Sequence, residues 1–477
     1  MLYQNVSKYG LATHLALAAA LPAALAQFVS DAALSVATLW ASLFACVWML
    51  MEPSVLSGET VSRARSRVLG GIVRDPFAWF LCVAVLFALA RWLNSGVKLY
   101  FDAEKSIWQV SEPAVSFLPA SSGDAALLPL ALIVAGAVVV LGVKHALGKN
   151  ARIWFGIACG AISATGAFAA VVCAGMEIEP FKTLAFSDVG AKFFIGAMYA
   201  MFLPISVACG VEAEDRGMTK TRLVFAWAVG GNAVGAFIFL PGFLSFIYLA
   251  VSVPIAALAL VKLNKRAGAA AAARAGSMIA FGVTIAVFSS ILPPYAKIQE
   301  AKMAGLDVEK VFTPALADRN GALQSISKSM WLEHPWSGVG VGAFKLQAPF
   351  FVQKEDWAVL PPEPSDGSNG YFTLIAERGI CGALMCLIGL GFFLYFWISR
   401  LIGSFAWHKT QDEGRSWIWC MPTVVWAGPL VLLLVASDAW FSSGFPITAL
   451  SACVVAAMSL SAASFPKVKR IDKDKEG

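Results

Sequence analysis

Residues 126–146 read ALLPLALIVAGAVVVLGVKHA, and the first eighteen of them carry no ionisable side chain. A helix rises about 1.5 Å per residue, so a run of this length crosses a hydrocarbon core of about 30 Å. Lys144 and His145 then mark a polar boundary.

Comparable runs recur on both sides, at 10–28, 32–52, 76–93, 154–176, 192–211, 223–240, 244–263, 276–292, 369–398, 418–437 and 445–463. With 126–146 they make twelve, and the pair 223–240 and 244–263 meets in a tight hairpin at Pro241-Gly242. The first run follows Lys8 without a cleavage site and reads as a retained helix rather than a signal peptide. Hydrophobic residues are 58% of the chain, charged residues 14%, and mean hydropathy is +0.72, values a soluble domain does not reach. The expectation is an all-α polytopic membrane protein with about twelve transmembrane helices. Residues 1–292 hold nine spans, 293–368 form one large loop, 369–463 hold three more spans, and 464–477 are a charged tail.

Lysine and arginine set the orientation. With both termini in the cytoplasm, Arg63, Arg65, Arg67, Arg74, Lys144, Lys149, Arg152, Arg216, Lys220, Arg222, Lys262, Lys265, Arg266, Arg274 and Arg400 fall on one side, with the basic tail. This is the positive-inside pattern. The net charge of +6 is met by anionic lipid headgroups and requires no nucleic acid. All nine cysteines lie in predicted spans without a CxxC pair, so they read as small packing residues rather than disulfides or metal ligands. The segment 268–276 (GAAAAARAG) reads as a loop of low complexity, and 94–125 as an outer loop bearing an aromatic belt or a surface-lying segment.

The loop 293–368 is the one outer connection long enough to fold over the membrane. From Tyr295 to about Trp331 its apolar residues keep a broadly helical rhythm, through Leu316, Leu323, Ile326 and Met330. Then comes Glu333-His334-Pro335-Trp336-Ser337-Gly338-Val339-Gly340-Val341-Gly342-Ala343-Phe344, whose close glycines imply a tight turn that a ligand can approach. A nucleotide phosphate loop does not fit, because no strand precedes the glycines and no GK[ST] follows. Of four histidines, only His334 lies on the outer side; it reads either as a base or as a packing residue beside Pro335 and Trp336. Arg319 is an isolated arginine with the forked donors that phosphate oxygens favour. Arg91, Lys182 and Lys192 read as interfacial cations that snorkel toward headgroups. Glu377 and Arg378 sit inside the apolar start of the tenth span, where charge needs a partner or a hydrated cavity. Adjacent positions point apart on a helix, so the pair is expected to find partners elsewhere or to wall a site.

In order and spacing, Arg319, Trp331, His334 to Phe344, Ser368-Asn369-Gly370-Tyr371 and Glu377-Arg378-Gly379-Ile380-Cys381-Gly382 resemble the O-antigen ligase and polymerase family. The match covers about residues 317–395, with a weaker echo at Gly196 to Gly210. The resemblance implies a metal-independent glycosyltransferase, without a cofactor, at the periplasmic face of the bacterial inner membrane. Its donor would be a glycan on undecaprenyl pyrophosphate, and its acceptor a saccharide or lipid-linked sugar. Arg319, Asn369, Glu377, Arg378, Gly338 and Gly340 would line the substrate, with arginines stabilising the pyrophosphate leaving group.

Two positions depart from the family. Ser368 stands where a histidine is usual, and a neutral serine is a poor base; His334 or Asp366 would then take the acceptor proton. The hairpin Leu240-Pro241-Gly242-Phe243 lacks the arginine that the family tends to carry there. A ligase and a polymerase share this pattern, and the alternatives of another class are a polysaccharide transporter or flippase and a non-catalytic assembly protein.

Overall fold

The structure is a computed structural model and describes residues 2–26, 28–52, 59–102, 105–111, 115, 120–176, 189–239, 242–291, 314–353, 360, 370–410, 421–441 and 445–462. Among them, eight helices are long and apolar enough to cross a membrane, and two shorter apolar ones, Tyr9–Leu25 and Val424–Ala436, accompany them.

The elements run α1 (Leu2–Leu25), α2 (Asp31–Met51), α3 (Val61–Val73), α4 (Pro76–Leu93), the hairpin β1 (Leu99–Asp102) and β2 (Ile107–Val110), α5 (Leu127–Leu141) and α6 (Lys149–Gly175). They continue with α7 (Val189–Asp215), α8 (Arg222–Phe239), α9 (Gly242–Ala267), α10 (Ala269–Ile291), α11 (Pro314–Glu333) and α12 (Phe344–Phe351). The last three are α13 (Gly370–Thr410), α14 (Val424–Phe441) and α15 (Phe445–Ala462).

The centre is the packing of α6, α7 and α8, flanked by α1 and α10. Lipid tails are as apolar as leucine, so helices in a membrane associate through close packing, for which small residues are needed. A methyl group at Gly231 would lie 2.9 Å from the Ala164 backbone, and one at Gly235 would lie 2.6 Å from the Tyr199 ring. Tyr199, Phe155 and Phe202 fill the remaining space and are fully buried. Asn232 ties α8 to α6, donating to Gly160 O at 2.8 Å while its Oδ1 accepts from Ser163.

Four local outcomes differ from the sequence expectations. Leu99–Val110 forms an antiparallel hairpin, with Phe101 opposite Trp108, because β-branched and aromatic residues flank a short polar turn; the all-α expectation therefore omits one small sheet. The alanine-rich segment is helix, not loop: alanine is the strongest helix former, and only Gly268, at φ 86°, interrupts the chain. Residues 61–73 form an amphipathic helix that buries Ala64 and Val68 and turns Arg63, Arg65 and Arg67 outward. The span beginning near 369 is interrupted at Gly379 (φ 59°, ψ −162°). Residues 292–313, the first part of the loop's helical rhythm, lie outside the described residues.

Candidate functional site

The interruption at Gly379 releases backbone groups that lipid cannot satisfy, each costing several kcal/mol if left bare. The glycine-rich turn takes them up. Val339 N–H donates to Ala376 O at 2.9 Å, and Gly340 N–H to Glu377 O at 3.1 Å. In return, Ile380 and Cys381 donate to Pro335 O and Trp336 O at 2.9 and 3.1 Å. The third freed carbonyl, Arg378 O, accepts from Arg91 Nη2 at 3.3 Å.

Glycine is required on both sides of this junction. Gly338 and Gly379 have φ of +68° and +59°, a region that side chains rarely occupy. A methyl at Gly379 would also lie 2.5 Å from Trp336 O, and one at Gly338 would lie 2.5 Å from Arg378 N. The close approach expected of the glycines is therefore made by the chain itself. Gly340 likewise faces Ala120 O, at 3.2 Å from an added methyl. Gly338 and Gly340 shape the site by admitting backbone where a side chain would otherwise stand.

Glu377 has a comparable role. Its carboxylate accepts from Gly342 N–H at 2.9 Å and from Phe344 N–H, the first residue of α12. Ala343 at the N-cap offers no side-chain acceptor, so a carboxylate from α13 supplies the cap. Its hydrogen-bond partners are thus backbone donors of the turn. Val341 completes the joint, donating to Ala120 O at 3.1 Å and accepting from Ser122 N–H at 2.9 Å.

Arg378 and Arg91 remain, one from α13 and one from α4. Arg91 is buried, not snorkelling: its guanidinium stacks 4.6 Å over Phe87, and its Nε has no hydrogen-bond partner among the described residues. The two arginines repel each other, and Glu377 attracts Arg91. The Arg378 stem lies over Gly382, where a methyl would sit 3.4 Å from its Cγ.

Both arginines line a cavity of about 240 Å³. Its walls are α4 from Phe77 to Arg91, α5 from Pro129 to Val140, α13 from Arg378 to Cys386, and Leu450 and Cys453 of α15. The α4 wall alone is roughly 21 Å long at 1.5 Å per residue. Apart from the two arginines the lining is almost wholly apolar, and the charge lies at one end.

His334 directly follows α11 and is exposed, and its carbonyl accepts from Gly338 N–H at 2.9 Å. Arg319 lies in the first half of α11. Asp366, Ser368, Asn369 and Lys182 lie outside the described residues. Among the described residues no group of three or more His, Cys, Asp or Glu could hold a metal ion. Eight cysteines are described and all are free.

Arg91 is the residue that sequence reasoning underused. Its signal was present: an arginine two residues inside the end of an apolar span is expensive unless it meets a partner or a cavity. No protein-family profile and no curated protein sequence matches the chain.

Proposed function

We propose that the chain transfers a glycan from undecaprenyl pyrophosphate to an acceptor sugar hydroxyl at the periplasmic face of the bacterial inner membrane. The observation that carries this reading is the pair Arg91 and Arg378 at one end of a long apolar cavity. A lipid-linked donor has the same division, a pyrophosphate joined to a hydrocarbon tail. Guanidinium forks match phosphate oxygens and keep their charge in a dry site.

In the reaction the acceptor oxygen attacks the anomeric carbon, and the bond from that carbon to the phosphate oxygen breaks. Undecaprenyl pyrophosphate leaves with the electron pair, and the acceptor proton passes to a base. Arg91 and Arg378 stabilise the charge that grows on the leaving group. Arg319 and Asn369 are the further donor-binding residues that the family resemblance implies. His334 or Asp366 takes the proton. No metal is needed, because arginines supply the positive charge. A polymerase of the same family would use the same cavity and differ in its acceptor.

One observation favours a second reading, a polysaccharide transporter: α13 is discontinuous, as transporter helices often are at their substrate sites. The interruption lies at the level of Arg91, near the end of α4, whereas transport sites lie near mid-membrane. Purified protein with an undecaprenyl-pyrophosphate glycan and an acceptor distinguishes the two. Arg378→Ala and Arg91→Ala should each lower product formation about a hundredfold, the scale of losing one transition-state donor. Product at the native rate from both variants, or translocation without product from the native chain, overturns the transferase reading.

A further inference from the structure

At the opposite end of α4 lies a second group of cations. Asp75, buried at the start of the helix, holds Lys144 Nζ at 2.5 Å and His145 Nε2 at 2.9 Å. Arg152 of α6 reaches Ser461 O at 2.8 Å and Lys144 O at 3.5 Å. Arg400 of α13 stands one turn beyond Phe396, whose ring faces Lys144 Nζ at 4.8 Å. Arg400 is attracted by Asp75, and it repels Arg152.

Charge does not balance here. Lys144, Arg152 and Arg400 are set against Asp75, the one carboxylate that these interactions include among the described residues. Arg67 at the rim adds no surplus, because Glu59 binds it through both carboxylate oxygens at 3.1 and 3.2 Å. Hydrogen bonding is also incomplete: Arg400 Nη1 and Arg152 Nε are buried without a partner among the described residues. A buried guanidinium N–H left unmade costs more than a typical hydrogen bond yields.

An anion with several acceptor oxygens satisfies both deficits. A phosphodiester does so with forked bonds to the two guanidiniums. Phe77 and Phe396 stand beside Lys144 and offer an apolar surface for an attached chain. The cluster lies on the side where short basic segments gather, the side on which anionic headgroups are held in basic pockets between helices. We propose that Lys144, Arg152 and Arg400 bind the phosphate of an anionic phospholipid from that leaflet. The site is separate from the arginine pair at the other end, and the inference does not depend on glycan transfer.

The test uses the full chain in detergent with phosphatidylglycerol, phosphatidylcholine or inorganic phosphate added, read as bound mass by native mass spectrometry. One phosphatidylglycerol should be retained in preference to phosphatidylcholine. Arg400→Gln should reduce that retention about tenfold, the scale of one charge-assisted contact. Arg400→Lys, which keeps the charge, should retain most of it, so a folding defect in Arg400→Gln would not decide the matter. Equal retention of the two lipids, unchanged retention in Arg400→Gln, or displacement of the lipid by inorganic phosphate would each overturn the proposal.

Discussion

Where α6, α7 and α8 meet, glycines bring backbones together and large side chains fill what remains. Where α4, α5 and α13 meet, a cavity of about 240 Å³ stays open between side chains of ordinary size. Both regions are apolar and both are made of membrane-length helices. In lipid, apolar character does not by itself draw helices together, so only the first region has the close contact that binds helices strongly. The wall of the second is fastened at its ends instead. Asp75 fixes the start of α4 to Lys144 and His145, and Arg91 fixes its far end to Arg378 O. A wall held at two points can border an occupant along its length, which a glycine-packed seam cannot do.

Two glycines test this contrast with one change of side chain. Gly231 faces the Ala164 backbone, whereas Gly136 lines the cavity and has only Leu450 Cδ1 within reach, at 3.5 Å. Gly231→Leu should cost about 3 kcal/mol or more through overpacking, seen as loss of monodisperse protein after mild heating in detergent. Gly136→Leu should alter melting by less than about 1 kcal/mol yet weaken binding of a long-chain polyprenyl phosphate. Equal destabilisation by the two would erase the distinction between seam and cavity.

The break in α13 should respond less than the seam but more than the cavity wall. Gly379→Ala forces a side chain into positive φ and toward Trp336 O, and should cost about 2 kcal/mol. Because the turn and the helix exchange hydrogen bonds, the change should also expose amides of 339–340 and 380–381, read as faster hydrogen exchange there with α6–α8 unaffected. Uniform loss of protection across the chain would show that the junction and the seam unfold as one unit.

The sequence made much of this legible, and the rest was hidden for physical reasons. Apolar run length anticipated the eight helices long and apolar enough to cross a membrane, because the bilayer sets that length. The conspicuous glycines of 338–342 read as a tight turn open to a ligand, whereas the contact shown is with chain some forty residues away, the broken turn at 376–381. Hydropathy does not register such a break, since the average over the span stays strongly apolar despite Glu377 and Arg378 beside Gly379. Glu377 and Arg378 were recognised as needing partners elsewhere, and their roles then diverged, one capping α12 and the other facing the cavity. Arg91 required a tertiary contact 287 residues away to reveal its place.

A pH-dependent effect concerns the other fastening of α4. Burial raises the Asp75 carboxyl, but hydrogen bonds from His145 and Lys144 and the charge of Lys144 outweigh it and hold the group at about 2. An unfolded aspartate titrates near 3.9. With the folded value below the unfolded one, the stabilisation is complete above about pH 4 and is lost as pH falls toward 2. The melting temperature of the native chain should therefore exceed that of Asp75→Asn at pH 6, and the gap should close between about pH 4 and 2. A gap that persists unchanged at low pH would mean that Asp75 holds α4 by its shape and its bond to Phe77 N–H, not by its charge.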